Sequence, residues 1–236
     1  MNEAALTFER VTVTYGDVTP IRDFSLTLRA GETTALLGRS GCGKTTLLRL
    51  AAGLLRPTAG RIVHTGAAPR IGMAFQHPQL FPWKSVRDNV ALAVRHLPAP
   101  LREARVAREL ERVGLAEAAA KYPGELSGGM ASRVGLARAM VCEPDLCLMD
   151  EPFAALDALT RLTLQAECET WFAERRATVL WVTHDPREAA RLADRAIVLR
   201  TGEPAVDLRQ DASHPRALDA PETLAFEREL LALLLR

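Results

Sequence analysis

The sequence predicts an α/β fold, and three observations lead to that prediction. In the second half of the chain, short apolar runs alternate with helical stretches, which is typical of a parallel sheet with helical crossovers. A glycine-rich stretch at 38–45 separates an apolar strand from a helix. The first 30 residues alternate apolar and polar side chains, as half-buried strands do. We therefore expect an α/β core preceded by an antiparallel β region.

The first half of the chain contains six predicted strand segments and one helix. Leu47 opens an apolar helical pattern that Gly53 is placed to end. Turns are predicted at Gly16-Asp17 and at 30–32. The strand segments are Leu6–Glu9, Val11–Tyr15, a stretch carrying Phe24, Leu26 and Leu28, Thr33–Leu37, Arg61–Val63 and Ile71–Phe75.

The second half divides into a helical block and a return to strand–helix alternation. Helices are predicted at Leu101–Val113, Val134–Met140, Ala158–Arg175 and Pro186–Ala193, and strands at Leu146–Met149, Thr178–Val182 and Ala196–Leu199. We predict a single domain, residues 1–236. Its α/β core comprises approximately 1–77 and 143–210, its helical subdomain is 78–142, and 211–236 is a tail containing an apolar helix.

Composition excludes several classes of protein. The chain has 236 residues, 30 Lys plus Arg against 29 Asp plus Glu, and a formal net charge of +1. That balance argues against wholesale electrostatic binding to nucleic acid. No apolar run approaches the roughly 18 residues that span a bilayer, and residues 1–10 lack the layout of a signal peptide. The four cysteines are too scattered for a zinc site or disulfide framework, which favours small buried residues in a reducing cytoplasm.

A phosphate-binding loop is predicted at Gly38–Thr45, which matches G-x-x-x-x-G-K-[ST] between a strand and a helix. Its glycines allow successive backbone N–H groups to cradle phosphate oxygens, and the helix adds the positive end of its dipole. Lys44 is expected to reach the β- and γ-phosphates, and the Thr45 hydroxyl to ligate Mg²⁺.

Two carboxylates follow the strand Leu146–Met149, at the end that a parallel sheet presents to a phosphate crevice. Asp150 is the candidate Mg²⁺ partner, and Glu151 the candidate base for the attacking water. Taken alone, an apolar strand that ends in two acidic residues is common, and the two carboxylates can simply be exposed to solvent. Downstream of a phosphate loop, the pair indicates a metal-assisted phosphoryl-transfer site.

A second anion cradle is predicted at Ser127, Gly128 and Gly129, immediately before a helical run. A flexible turn is the other interpretation of these residues. The chain then carries two half-sites about 80 residues apart in sequence. This arrangement suggests a composite site between two chains.

With these motifs, the sequence resembles the ATP-binding cassette (ABC) ATPases over nearly its whole length. The LSGG-type signature is Leu126–Gly129, and further family elements follow in order: Tyr15, the Q-loop Gln76, the D-loop 155–157 and the switch histidine His184. Singly, each has an ordinary interpretation, as strand packing, a loop residue, a helix N-cap at Asp157 or a surface histidine. Their joint order makes the resemblance specific.

The resemblance implies two chains that sandwich two ATP molecules head to tail, with Mg²⁺. The implied catalytic residues are Glu151, His184 and Gln76, and the implied metal partners are Thr45, Gln76 and Asp150. The implied nucleotide contacts are Tyr15, Gly38, Arg39, Ser40, Gly41, Cys42, Gly43, Lys44, Thr45, Thr46, Ser127, Gly128, Gly129 and Asp157. Met130 replaces the usual signature Gln and Ala155 the common D-loop Ser, and neither change removes a group that touches phosphate directly. Residues 130–133 lack the Gln-rich polar run of many relatives, which puts their contacts with the partner chain in doubt.

Within this family, the chain resembles the ATPase subunits of the nitrate/sulfonate/taurine importer group, because the sequences of residues 75–90 and 149–161 are similar to theirs. This implies a peripheral protein on the cytoplasmic face of a bacterial membrane. Its partners would be a second copy of itself, an integral membrane permease and, indirectly, an extracytoplasmic solute-binding protein, with no nucleic acid. The exposed apolar loop within Gln76–Trp83 is the expected permease contact, although an ordinary satellite cluster is the other interpretation.

The cargo would be nitrate, sulfonate, taurine or a related compound. Two alternatives remain: the ATPase of another importer or lipid transporter, and a non-transport ATP switch.

Overall fold

The structure is a computed structural model that describes residues 3–66, 68–200 and 203–235. Within these ranges it contains nine strands and seven α-helices. The strands are β1 Ala4–Tyr15, β2 Val18–Arg29, β3 Thr33–Gly38, β4 Ala59–His64, β5 Ile71–Ala74, β6 Leu146–Asp150, β7 Thr178–Val182, β8 Arg195–Leu199 and β9 Val206–Arg209. The helices are α1 Lys44–Ala51, α2 Val86–Ala91, α3 Ala99–Arg112, α4 Gly128–Met140, α5 Ala158–Arg175, α6 Pro186–Leu192 and α7 Pro221–Leu234.

The predicted antiparallel β region is confirmed as a three-stranded sheet with strand order β2-β1-β4. Alternation in β1 buries Leu6 and Phe8 and then, after a break, Val11 and Val13. The break is Arg10, whose φ of 49° forms an irregularity in the strand. It accounts for the two predicted segments that prove to be one strand.

The core sheet has six strands in the order β5-β6-β7-β3-β8-β9. Its first five strands are parallel, as predicted, and their residues are almost all buried. The sixth, β9, runs antiparallel to β8 and was not predicted. Its four residues give too short an alternation to stand out, and its place depends on tertiary contacts. One such contact is the ion pair between Arg195 and Asp207, at 2.6 Å.

The helices α2, α3 and α4 lie between β5 and β6 in the chain and pack on one another around an apolar cluster. The same cluster includes Trp171 of α5 and Trp181 of β7, both fully buried. Helix α2 was not predicted because it has only six residues; Ser85 caps it by accepting a hydrogen bond from the Asp88 N–H. Helix α4 begins at Gly128 rather than at the predicted Val134, so the signature glycines form its first turn.

The tail helix α7 packs against α6 and β8, on the face of the core sheet that also carries Trp181, because Ala35 in the α7 cluster pairs with Trp181. Phe226 and Leu230 are buried there, whereas Leu231 and Leu235 are exposed. Helix α7 therefore packs on its own domain through one face.

Candidate functional site

The phosphate-binding loop connects β3 to α1 and is shaped by glycines. Gly38 has φ of 147° and Gly43 φ of 101°, which L side chains rarely adopt. A Cβ at Gly38 would collide with the Leu199 carbonyl, and a Cβ at Gly43 with the Ile21 side chain. The sequence pattern therefore meets a steric need as well as a chemical one.

Lys44 begins α1 and its side chain is folded into the loop. Nζ donates hydrogen bonds to the carbonyl oxygens of Gly38, at 2.7 Å, and Arg39, at 2.9 Å. Only 8% of the residue is exposed. The ammonium charge is thereby held at the N-terminus of α1, where both this charge and the helix dipole stabilise a bound anion.

Thr45 and Asp150 form a pair of hard oxygen donors at the ends of α1 and β6. The Thr45 hydroxyl donates to Asp150 Oδ2 at 3.0 Å. Burial raises the pKa of Asp150, and the hydrogen bond from Thr45 partly offsets that rise. A buried carboxylate beside a hydroxyl suits Mg²⁺, which prefers oxygen ligands, so the residues present fit the metal predicted from the sequence.

Glu151 lies at the centre of the predicted catalytic group. Its backbone has φ of 45°, uncommon for a residue other than glycine, and its N–H donates to the Val182 carbonyl at 3.0 Å. Its Oε2 lies 3.1 Å from His184 Nδ1 and accepts a hydrogen bond from Gln76 Nε2 at 3.5 Å. The His184 side chain is 68% exposed, whereas that of Glu151 is 19% exposed. The three predicted catalytic residues are thus brought together.

These groups share one cleft of about 370 Å³ at the carboxyl ends of the parallel strands, where such sheets bind ligands. It is lined by Pro20, Gly38, Ser40, Gly41, Gly43, Lys44, Thr45, Thr46, Gln76, Glu151 and His184. All of these except Pro20 were predicted from the sequence. Pro20 carried no chemical signal, because it contributes only its shape and backbone.

Two predicted loop contacts, Arg39 and Cys42, line a different cavity of about 190 Å³ behind the loop, next to Leu233 and Leu234 of α7. The Cys42 thiol is buried, 3.8 Å from Lys44 Nζ. Their nucleotide contacts stay predictions and would be made by their backbone groups.

The remaining predicted nucleotide contacts do not line the cleft within one chain. Tyr15 is half-exposed at the end of β1. Ser127 caps α4 by accepting the Met130 N–H, at 3.2 Å. Asp157 caps α5 by accepting the Thr160 N–H, at 3.0 Å, which lowers the pKa of Asp157. The N-cap interpretation considered for Asp157 is thus confirmed, and its predicted nucleotide contact stays a prediction.

The sequence interpretation missed a buried polar group next to the cleft. Gln165 lies on the face of α5 that also buries Leu164 and Cys168, and Glu188 is buried on α6. The available signal in the sequence was a polar residue, Gln165, on the apolar face of the predicted helix α5, because a buried polar side chain needs a hydrogen-bond partner.

The strand–loop–helix with its lysine, the Thr45–Asp150 pair and the adjacent Glu151 define a phosphate-loop nucleotide hydrolase. The ABC transporter family model matches residues 21–154. The chain belongs to the ABC transporter family, and it is an ABC-type ATPase that binds and hydrolyses ATP.

The relatives cover nearly the whole chain. The aliphatic sulfonates import ATP-binding protein SsuB of Pseudomonas putida is 45% identical over 224 residues, which cover 92% of this chain and 81% of that protein. SsuB 2 of Pseudomonas fluorescens is 42% identical over 232 residues, covering 96% and 85%. The dimeric ATP-binding cassette MJ0796 bound to ADP and Pi is 28% identical, with a TM-score of 0.80, covering 88% of this chain and 100% of that one. In the part of this chain that the structure describes, no helix is long and apolar enough to cross a bilayer.

Proposed function

We propose that this chain is the ATP-hydrolysing subunit of a bacterial importer, which energises uptake of an aliphatic sulfonate or a related small solute through a separate permease. The observation that carries the proposal is the cleft in which the phosphate loop meets Gln76, Glu151 and His184. The cargo class is inferred from the printed names of the relatives.

In this proposal the phosphates of ATP lie in the Gly38–Thr45 loop, with Lys44 paired to the β- and γ-phosphates. Thr45, Gln76 and Asp150 would hold Mg²⁺, which would supply positive charge to neutralise the phosphates. The ammonium of Lys44 exchanges its present carbonyl partners for phosphate oxygens, a stronger charge-assisted bond.

Glu151 orients and deprotonates the attacking water. Its Oε2 is shared by His184 and Gln76, which fixes the direction of the acceptor lone pairs. His184, exposed at the edge of the cleft, contacts the γ-phosphate and the same water. Positioning and charge stabilisation provide most of the rate enhancement, because phosphoryl transfer needs little covalent assistance.

A second copy of the chain completes each site. The predicted contacts that do not line the cleft support this proposal: Ser127 and Gly128 are exposed at the start of α4, as is Asp157 before α5. Ser127–Gly129 of one copy would cover the γ-phosphate held by the other, next to Asp157. Tyr15 would stack on adenine at the other end of the nucleotide.

The permease is proposed to contact the loop at the edge of the 78–142 helical subdomain, and this places the protein on the cytoplasmic face of the membrane. Phe81 is 42% and Trp83 70% exposed, and their rings pack edge to face with centroids 5.4 Å apart. Exposed aromatic pairs of this kind are typical of the core of a protein–protein interface. No nucleic acid is involved in this mechanism.

The substitution Glu151→Gln tests the proposed chemistry. It keeps the shape of the side chain but removes the base, so we expect the rate of ATP hydrolysis to fall at least about 100-fold while ATP binding is retained. Steady-state hydrolysis and equilibrium binding of a fluorescent ATP analogue measure the two quantities. The matched control is Glu167→Gln on the exposed face of α5, which should hydrolyse ATP at the wild-type rate. Wild-type turnover by Glu151→Gln would exclude Glu151 as the base.

A further inference from the structure

A buried hydrogen-bonded cluster lies directly behind His184 and joins α5 to α6. Its members are Gln165, Thr183 and Glu188, which are 3%, 2% and 8% exposed. None of them lines the nucleotide cleft. Thr183 and Glu188 instead line a separate cavity of about 60 Å³, which also meets Glu151 and His184.

The Thr183 hydroxyl fixes the turn that carries His184. It accepts the Asp185 N–H at 3.0 Å and donates its own hydrogen to Glu188 Oε2 at 2.8 Å. Because Asp185 N–H occupies an acceptor position on this oxygen, the hydroxyl hydrogen is free to point at Glu188. The residues on both sides of His184 are thereby tied to one side chain of α6.

The other carboxylate oxygen of Glu188 faces α5. Gln165 Nε2 donates to Glu188 Oε1 at 3.1 Å, and Arg161 Nε lies 4.0 Å from the same oxygen. Arg161 also donates from its Nη2 to the Leu156 carbonyl at 3.1 Å. Leu156 belongs to the segment 155–157 that precedes α5, so this segment and the His184 turn both reach Glu188.

Thr183 and Gln165 each donate a hydrogen bond to Glu188, and Arg161 adds a positive charge 4.0 Å away, so these contacts favour the ionised carboxylate. Burial raises the pKa of Glu188, and the Thr183 hydrogen bond and the Arg161 charge lower it. Burying a carboxylate costs desolvation free energy, which hydrogen-bond donors must offset. Its geometry is fixed only while all of these donors are present.

We propose that Glu188 is a positioning residue that couples the 155–157 segment to the turn carrying His184, and so sets the contact between His184 and Glu151. The inference rests on the proposed function, which gives His184 and Glu151 their roles. Glu188 does not touch the nucleotide cleft. Its loss should therefore lower kcat and leave the KM for ATP nearly unchanged.

The first variant is Glu188→Gln in the full chain, assayed for ATP hydrolysis with Mg²⁺. Thr183 and Gln165 donate to different oxygens of Glu188, and the amide replaces one of these oxygens with an NH₂ donor, so one of the two hydrogen bonds is lost. Misplacing a catalytic group by about 1 Å can cost 100-fold, so we expect kcat to fall roughly 10-fold or more, with KM within about twofold. Thr183→Val should lower kcat similarly, whereas Thr183→Ser, which keeps the hydroxyl, should retain most of the rate.

The double variant Thr183→Val/Glu188→Gln tests whether the two residues act through one contact. If they do, its kcat should be close to that of the slower single variant rather than the product of both losses. Glu169→Gln is the structural control. It alters a second buried carboxylate, which lies on α5 and bonds His214 and the Arg216 N–H, and it should leave kcat unchanged.

Wild-type kcat in Glu188→Gln, multiplicative losses in the double variant, or a Thr183→Ser rate as low as that of Thr183→Val would each overturn the inference. If Glu188→Gln does not fold, as judged by urea unfolding, the Thr183 pair decides the question. The proposed function is tested separately from this inference, by ATP hydrolysis in the wild type and its loss in Glu151→Gln. A wild-type chain with no ATP hydrolysis would overturn both proposals.

Discussion

At the scale of single residues, Glu151 shows how strained backbone and chemistry coincide. Its positive φ follows directly after β6, where the chain must turn while Asp150 faces Thr45 and Glu151 faces His184. Two consecutive side chains of a strand point to opposite faces, so an ordinary extended conformation could not bring Asp150 to Thr45 and Glu151 to His184 together. The strain is held by the hydrogen bond of the Glu151 N–H to Val182.

His214 anchors the start of the tail through two carboxylates. Its Nδ1 lies 2.6 Å from Glu169 Oε1 and its Nε2 lies 2.9 Å from Asp194 Oδ1. Arg216 bonds the same Asp194 oxygen at 3.0 Å, and Arg191 adds positive charge near Glu169. The hydrogen bonds that His214 donates to Asp194 and Glu169 raise the pKa of His214, because both ring nitrogens donate only in the imidazolium.

This cluster predicts a pH dependence of stability. The contribution of His214 is complete below its ordinary pKa of 6.5 and is lost as pH rises through its raised value in the folded protein. Burial would raise the pKa values of Glu169 and Asp194, but their hydrogen bonds to His214 lower them, so their contribution is lost as pH falls below 4.5 and 3.8. We expect the free energy of unfolding in urea to decline on both sides of this window.

The variant His214→Gln separates this effect from other titrations. It cannot take up a proton, so the decline above pH 6.5 should become shallower than in the wild type. If the free energy of unfolding declines above pH 6.5 as steeply in the variant as in the wild type, groups other than His214 cause this decline.

At the scale of elements, Asn89 on α2 shapes the exposed aromatic loop. Its Oδ1 accepts the Phe81 N–H at 2.8 Å, and its Nδ2 donates to the carbonyls of Phe81, Lys84 and Ser85 at 3.2, 2.9 and 3.0 Å. The residue is fully buried. Trp83 is therefore exposed on a loop that is held rigidly from beneath.

Replacing Asn89 with Ala should destabilise the protein by about 2–3 kcal/mol, because it leaves several loop backbone groups without partners. Urea unfolding measures the change. The control is Ser85→Ala, which removes the α2 cap beside the same loop and should cost about 1 kcal/mol. Equal losses in the two variants would show that Asn89 contributes no more than a cap.

Element prediction succeeded where a segment was long and periodic, and failed where it was short. Helix α5 has the bounds expected from its sequence, Ala158–Arg175. Helix α2 and strand β9 have six and four residues, too few for periodicity to define them. Their positions depend instead on contacts with other parts of the fold. Asn89 of α2 bonds the loop at Phe81, and Asp207 of β9 pairs with Arg195 of β8.

At the scale of the whole molecule, the cleft and the signature half-site lie apart in one chain. The start of α4 is open: a Cβ at Gly128 would meet nothing within 4 Å. A methyl group there has no structural cost in the single chain. In the proposed pair of chains, the same methyl group would meet the nucleotide held by the partner.

This difference predicts the behaviour of Gly128→Ala. Stability to urea should be unchanged or slightly raised, because Ala favours the helix, while ATP hydrolysis should fall about tenfold or more as the composite site is blocked. Gly124→Ala is the matched control, since a Cβ there also meets nothing within 4 Å and Gly124 lies outside the signature.

The measurements are urea unfolding, steady-state hydrolysis and ATP-dependent dimerisation in sedimentation, the last using the Glu151→Gln background to slow turnover. Gly128→Ala with wild-type hydrolysis and dimerisation would contradict a nucleotide contact at this position.

The sequence by itself determined the family, the loop that binds phosphate and most of the residues of the cleft, because the chemistry of each motif depends on residues that are adjacent or regularly spaced. Tertiary structure alone decided how Glu151, Gln76 and His184 meet, and which buried groups support them. Gln165 and Glu188 come from separate helices, and only the folded arrangement of α5 and α6 brings this donor and acceptor within hydrogen-bonding distance. Local patterns cannot encode contacts of that kind, since their energy depends on burial that exists only in the folded chain.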